Sequence, residues 1–464
     1  MNAEEFFNQA VAKFGQGDIF GALGDFAQSA IHHPEVAPVH YELGNARLQL
    51  LDYRGAIEHF DLAIQINPNY ADAYEKRAEA RDWIENYQGV MEDCTQLIRL
   101  KPNYTNAYEK RAYAWEKMEN YQAAIDDYNR LIELKPYYTD GYKNRAYVFR
   151  KIGEYQRAID DYNRWLMLDS QCIKAHYERA YTREQMGDHQ GAIDDYKSLL
   201  RSQPDYSSAA SRIFLVRINE MGDYRGAVED YTDLINLRPD FAENYYIRGS
   251  LQQYLGNYSE ALADYQHAID LNRELLEAYS SRGIVYYTVG NYELAMADFN
   301  RAIELSSHLP EAYLNRGAVR YAIGNYPEAI ADFDLALNLN ANLPEAYSSR
   351  GATRYSLAEY QISIADLDYA IALNPDFAEA YSNRGVVRYQ IGEIQNAIAD
   401  FDRAINLKPN FVEAYFNRGV VRSQIGNRQE SYEDLQTAKQ ISTENRNIAA
   451  NQKIIDLIIK METL

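Results

Sequence analysis

Residues 378–411, which read AEAYSNRGVVRYQIGEIQNAIADFDRAINLKPNF, decide the fold of this chain. Apolar residues recur every three to four positions on either side of Gly392, which indicates two amphipathic helices joined by a tight turn. Pro409 follows the second helix, where its missing N–H and fixed ring prevent further helix. This stretch of 34 residues therefore predicts a helix, a turn, a second helix and a stop.

The same pattern recurs along nearly the whole chain. Aligning the small residue of the first helix, the alanine of the second helix and the proline gives thirteen repeats over 3–445. Each repeat has 34 residues except the seventh, 207–241, which has 35. Since one helix pair cannot bury its own apolar faces, neighbouring repeats must stack, and the pattern predicts an all-α solenoid.

This spacing resembles the tetratricopeptide repeat family. Counted from the first residue of a repeat, the family pattern has an aromatic residue at position 4, a small residue at 8, glycine near 15, tyrosine at 17, alanine at 20, an aromatic residue at 24, alanine at 27 and proline at 32. In the quoted repeat these positions hold Tyr381, Gly385, Gly392, Ile394, Ala397, Phe401, Ala404 and Pro409. Only Ile394 departs from the pattern. The resemblance implies a right-handed superhelix of about thirteen helix-turn-helix repeats.

Composition narrows the possible partners. The net charge of −21 would repel a phosphate backbone, and no run of Lys or Arg offsets it, so no nucleic acid is expected. Basic proteins or peptides suit this charge better, although the same charge also serves solubility.

The first residues are acidic where a secretory signal is basic, and no run of about 18 apolar residues occurs. These features predict a cytoplasmic protein.

The seventh repeat divides the array. Its extra residue rotates everything downstream on an α-helix by about 100°, so either the helix bulges or the stack bends. We predict one sub-array over 3–206, a kink in 207–241 and a second sub-array over 242–445.

The isoleucine-rich segment 446–464 is predicted to form a capping helix on the last repeat, in preference to a membrane contact.

Two charged residues recur together. Ten repeats carry arginine at position 7 and aspartate at position 23. Opposite charges repeated at one period predict a ladder of ion pairs between adjacent helices, so we assign these arginines a structural role.

Small residues at position 8, such as Gly283, are predicted to face the alanines of the second helices, such as Ala295. Aromatic residues at position 24 are predicted to fill the gap to the next repeat.

No catalytic or metal-binding pattern is evident. The eight histidines occupy unrelated repeat positions, with His32 and His33 as the one adjacent pair, and no HExxH, phosphate loop or nucleophile elbow occurs. The two cysteines, Cys94 and Cys172, match no ligand spacing. The sequence therefore predicts a non-enzymatic protein with no cofactor.

The resemblance also implies where a partner binds. In this family the first helices line a concave groove, in which positions 2, 5, 9, 12 and 13 are exposed. Carried over by position, this predicts a groove with a tyrosine stripe among small residues: Ser280, Tyr287, Tyr321, Ser348, Tyr355, Ser382, Val386 and Tyr389. Tyrosine offers contact area and a hydroxyl at low entropic cost, which suits peptide binding. The alternative is that these tyrosines pack between first helices and expose only an edge.

A second polar surface is predicted at the N-terminal side, where the third repeat is acidic and the fifth is basic. Its residues are Asp72, Glu75, Glu79, Lys143, Arg150 and Lys151. Such charges are also common on solvated surface.

These features together predict a scaffold or assembly factor that binds peptide or protein partners in its groove. The tyrosine-rich repeats look like the long arrays common in bacteria, whose members often help to assemble membrane complexes. Two alternatives stay open: a regulator that bends at 207–241 when a ligand binds, and a peripheral membrane adaptor acting through 446–464.

Overall fold

The computed structural model describes residues 2–444, 452, 454–456 and 458. Within them the chain is all-α, as predicted, and consecutive helices form antiparallel pairs that stack side by side. The chain divides into two compact units, Met1–Ala227 and Val228–Leu464.

The N-terminal unit holds six regular helix pairs. They are α1 (Ala3–Gly15), α2 (Ile19–His32), α3 (Ala37–Gln49), α4 (Tyr53–Ile66), α5 (Ala71–Trp83), α6 (Tyr87–Leu100), α7 (Thr105–Lys117), α8 (Tyr121–Leu134), α9 (Thr139–Lys151), α10 (Tyr155–Leu168), α11 (Ile173–Met186) and α12 (His189–Ser202). The next helix, α13 (Ser207–Leu215), opens the irregular repeat, and α14 (Tyr224–Leu237) crosses the boundary between the units.

The C-terminal unit continues with six more pairs. They are α15 (Ala242–Tyr254), α16 (Tyr258–Leu271), α17 (Leu276–Thr288), α18 (Tyr292–Leu305), α19 (Pro310–Ala322), α20 (Tyr326–Leu339), α21 (Pro344–Ser356), α22 (Tyr360–Leu373), α23 (Ala378–Gln390), α24 (Ile394–Leu407), α25 (Val412–Gln424) and α26 (Arg428–Glu444).

Local sequence sets each helix boundary. At position 16 an Asn or Asp side chain caps several of the second helices; Asn86 Oδ1, for example, accepts the Gly89 N–H at 3.0 Å. At position 15 the backbone turns left-handed, which favours glycine, as at Gly392 with φ of 85°. Proline opens α19 and α21, because the first helical residue needs no N–H partner.

The irregular repeat absorbs its extra residue locally. After α13 the chain forms a π-helical turn over Val216–Glu220, in which one more residue fits into the turn. A bulge is one of the two outcomes that the period of 35 predicts. The boundary between the two compact units lies inside 207–241. The kink and the two sub-arrays stay predictions.

In most repeats one aromatic ring on the second helix joins neighbouring repeats. Phe299 of α18 is buried against Ala295 of its own helix and Val319 of the following first helix. The space beside Gly283 is filled by this ring, because a Cβ on Gly283 would lie 2.8 Å from it. Glycine at position 8 therefore leaves room for the aromatic residue of position 24.

All ten predicted ion pairs of the arginine ladder are present. Each joins the two helices of one repeat: Arg77–Asp93, Arg111–Asp127, Arg145–Asp161, Arg179–Asp195, Arg248–Asp264, Arg282–Asp298, Arg316–Asp332, Arg350–Asp366, Arg384–Asp400 and Arg418–Asp434. The same guanidinium reaches the preceding repeat at position 25; Arg350 Nη1, for example, lies 2.5 Å from Asp334 Oδ1. Each such arginine therefore joins three helices.

The C-terminal segment is described only in part. Ile454 and Ile458 are buried against Val412, Leu435 and Ala438 of the last repeat. This packing is what a capping segment requires. The other residues of the predicted cap 446–464, apart from 452, 455 and 456, lie outside the described residues. No helix of the described chain combines the length and apolarity needed to cross a bilayer.

Replacing Arg350 by Ala should lower the free energy of unfolding by about 2–3 kcal/mol, because Asp366 is buried and keeps only Arg354 as an ionic partner. Urea denaturation measures this change. The matched control is Arg301→Ala, which removes an exposed pair with Glu304 and should cost about 0.5 kcal/mol or less. Equal losses in the two variants would contradict the structural role of the ladder.

Candidate functional site

Three consecutive repeats each carry a pair of tyrosines where the first helix ends and the second begins. We call these six residues the tyrosine surface; its pairs are Tyr287–Tyr292, Tyr321–Tyr326 and Tyr355–Tyr360. The ring centroids lie 5.9, 5.6 and 5.8 Å apart, and the ring planes are inclined by 47°, 47° and 48°. The geometry is therefore the same in all three repeats.

The three pairs are neighbours along the stack. Successive first helices α17, α19 and α21 contact one another. Burial raises the pKa of Tyr287, and the nearby Tyr292 and Tyr321 raise it further. The pKa of Tyr355 is raised by burial and then by Tyr360 and Tyr321. Tyr321 is thus close enough to act on both neighbouring pairs.

The tyrosine surface is open to solvent. Tyr287, Tyr292 and Tyr321 are 37%, 37% and 38% exposed, and the other three are half-buried. Tyr355 and Tyr360 pack against the core around Leu367, and their rings still present surface. Whether this surface lines a groove that binds a partner is a proposal taken up below.

The other predicted groove residues are less accessible. Ser348 and Ser382 are each only 4% exposed, so the exposure expected at position 5 is not found there. The reason at Ser348 is that the next first helix covers it, with Asn383 Nδ2 donating to Ser348 Oγ at 3.4 Å. Ser280 is half-buried.

The stripe changes character in the twelfth repeat. Val386 and Tyr389 are half-buried and pack, with Ile394, against the cluster around Phe401. The Tyr389 hydroxyl donates to Gln424 in the following repeat. Because position 17 of this repeat is Ile394, Tyr389 lacks the second tyrosine that defines the three pairs.

The acidic half of the predicted polar surface is largely paired within the chain. Asp72 accepts from Lys101 Nζ at 2.9 Å, and the Glu79 carboxylate accepts from Lys76 Nζ at 2.9 Å. Glu75 accepts from the Tyr104 hydroxyl at 2.6 Å, and burial together with this hydrogen bond raises the pKa of Tyr104 to about 12. Asp72 and Glu75 thus connect α5 to the segment that follows α6, whereas the pair of Glu79 lies within α5.

The basic half is paired in the same way. Lys143 forms an ion pair with Asp140, and Arg150 donates to Glu178 at 2.7 Å. Lys151 is exposed, and its Nζ lies 5.5 Å from the centre of the Tyr147 ring. A role of this polar surface in binding stays a prediction.

Sequence reasoning missed a second aromatic feature, in the N-terminal unit. Trp83 is 65% exposed and stacks on Tyr53, with ring centroids 5.6 Å apart. Beside it Leu51 is 69% exposed, with a left-handed φ of 62° that leucine rarely adopts. Trp83, Leu51 and Phe14 line a cavity of about 670 Å³. The available signal was Leu51 at position 15, where most other repeats carry glycine.

The histidines are less scattered than predicted. His40 and His176 share position 4, and Nε2 of each ring donates to a backbone carbonyl six residues earlier, where other repeats use a tyrosine hydroxyl. His59 takes position 23, the aspartate site of the ladder, and its Nδ1 lies 3.4 Å from Nδ1 of His40. Over the residues described, no group of three His, Cys, Asp or Glu side chains is placed to hold a metal ion.

Comparison with protein families gives matches along both units. A family described as "Tetratricopeptide repeat" matches residues 37–70, a second with the same description matches 110–171 and 143–207, and one described as "TPR repeat" matches 253–290, 288–324 and 387–426. Together these matches cover more than half of the chain. Comparison with curated proteins gives no match.

Comparison with solved structures gives several matches. The Cut9–Hcn1 hetero-tetramer of the APC/C matches with 15% identity and a TM-score of 0.46 over 90% of this chain and 95% of that chain. Yeast Tom70 matches with 16% identity and a TM-score of 0.37 over 96% of both chains. A tetratricopeptide repeat protein from Parabacteroides merdae matches with 22% identity and a TM-score of 0.44 over 54% of this chain and 98% of that chain.

The pair of histidines should make stability depend on pH. Burial, with repulsion from Arg47 and His40 opposed by Asp52, lowers the pKa of His59 from 6.5 to about 4. The unfolded chain therefore binds more protons between pH 6.5 and 4, and this site should lose about 2–3 kcal/mol of stability as the pH falls through that window. Urea denaturation at several pH values measures the loss.

His59→Gln removes the titrating group, so its stability should fall less steeply than that of the wild type over this window. The exposed His308 gives the matched control, His308→Gln, whose profile should follow the wild type. Parallel profiles for His59→Gln and the wild type would contradict this account.

Proposed function

We propose that this chain, which belongs to the tetratricopeptide repeat family, is a non-enzymatic interaction scaffold or assembly factor that binds a peptide or protein partner at its tyrosine surface. The observation that carries the proposal is the threefold repetition of one half-exposed tyrosine pair on consecutive repeats. The stacking of repeats does not by itself require a tyrosine pair. The twelfth repeat packs with Ile394 at the position where these three repeats carry their second tyrosine.

The different roles of the repeat positions support this proposal. In the three repeats with a tyrosine pair, the arginine at position 7 pairs with the aspartate at position 23, and the residue at position 24 (Phe299, Phe333 or Leu367) is buried. The tyrosines at positions 12 and 17 keep surface free while their inner faces are held by the core. Rigid, amphipathic rings lose little entropy on binding, which is why tyrosine is enriched at energetically dominant contacts.

The charge around the tyrosine surface favours a basic partner. Glu293, Glu328 and Glu359 lie within two residues of a paired tyrosine at the start of three second helices, and all three are exposed. With a net charge of −21 on the whole chain, long-range attraction favours partners that carry Lys or Arg beside their contact residues.

Replacing Tyr287, Tyr321 and Tyr355 together by Ser should abolish capture of the partner from the native lysate, because one ring of every pair is removed. The control is Tyr137→Ser with Tyr369→Ser, which removes rings that are 81% and 62% exposed outside the tyrosine surface. Circular dichroism checks that both variants remain helical. Recovery of the same proteins by both variants and the wild type would refute the proposed site.

A further inference from the structure

We infer that the segment bound at the tyrosine surface is a proline-rich stretch in the polyproline II conformation, with one proline seated on each tyrosine pair. The inference rests on the proposed function and specifies the chemistry of the partner. It depends on the shape of one pair, on the spacing between pairs and on the charge beside them.

Each tyrosine pair forms a shallow V of two apolar faces. The rings of Tyr321 and Tyr326 are inclined by 47° with centroids 5.6 Å apart, so they neither stack nor close over each other. A pyrrolidine ring is compact and apolar, and aromatic-lined grooves bind such rings when they are presented by a polyproline II helix. The backbone of that helix has no internal hydrogen bonds, so its carbonyls accept from tyrosine hydroxyls.

The spacing between pairs selects the conformation. Packed helices lie about 8–10 Å apart, and the pairs sit on first helices that contact one another in sequence. A polyproline II helix rises about 3.1 Å per residue with three residues per turn, so it returns the same face about every 9 Å. An α-helix returns a face every 5.4 Å and a β-strand about every 6.6 Å. Only the polyproline II period matches one contact per repeat.

The tyrosine pairs also limit the length of the bound segment. In the eighth repeat position 12 is Gln253, whose Oε1 accepts from Tyr265 at 2.6 Å. In the twelfth, position 17 is Ile394. Three pairs at one polyproline turn each therefore accommodate a core of about seven to nine residues. The exposed Glu293 and Glu359 near its two ends favour Lys or Arg on either side of that core.

Fluorescence polarisation with the full-length chain tests the inference directly. The probe is a labelled peptide with proline at every third position, serine elsewhere and two lysines at each end. Its partner probe has the same composition but carries the prolines at every second position. We expect the first probe to bind about tenfold more tightly, because only its prolines meet successive pairs.

Two variants and a control separate the contribution of the ring from that of the hydroxyl. Tyr321→Ser should weaken the first probe about tenfold by emptying the central pair, whereas Tyr321→Phe, which keeps the ring, should stay within about threefold. Tyr369→Ser lies outside the tyrosine surface and should leave binding unchanged. Unfolding midpoints of all variants are measured alongside, so that a loss of fold is recognised.

The outcomes also separate this inference from the proposed function. If the two probes bind equally, or neither binds, while the triple serine variant still loses its captured partner, the polyproline inference is overturned and the proposed function stands. If the triple serine variant keeps both its partner and the first probe, both are overturned.

Discussion

The structure depends on a guanidinium group that reaches three helices at once. In each of ten repeats an arginine on the first helix binds an aspartate on its own second helix, and its remaining nitrogen reaches position 25 of the repeat before. The aspartate is buried, and burial raises the pKa of Asp93 in spite of two neighbouring arginines. Desolvation therefore offsets part of the ionic attraction, and the ladder contributes most by setting how neighbouring repeats align.

That alignment determines which residues remain for function. When successive first helices are held in register, residues at one position recur on one face at one spacing. Tyrosines at positions 12 and 17 then become a row of equal pairs, although their sequence neighbours differ. The partner surface is thus a product of the repeat geometry, and its chemistry comes from positions that the ladder and the buried ring at position 24 leave free.

The period predicted most of the fold, because each repeated residue acts locally, with glycine at the turn, proline at the stop and a charge pair between helices. It predicted less of the site. The burial of Ser348 depends on Asn383 from the first helix of the next repeat, and the pairing of His40 with His59 depends on contact between two helices. These contacts depend on which side chains of neighbouring helices are long enough to reach one another. The repeat positions in a single sequence do not give that information. The π-helical turn at Val216–Glu220 was foreseen only as one of two ways to absorb an extra residue.

The central claim is that the arginine couples adjacent repeats as well as the two helices of its own repeat. Hydrogen exchange measured along the chain for the wild type and Arg350→Ala tests this claim most directly. Arg350 binds Asp366 on α22 and Asp334 on α20, so faster exchange should appear in α20, α21 and α22 alike. Faster exchange confined to α21 and α22, with α20 as protected as in the wild type, would contradict the account.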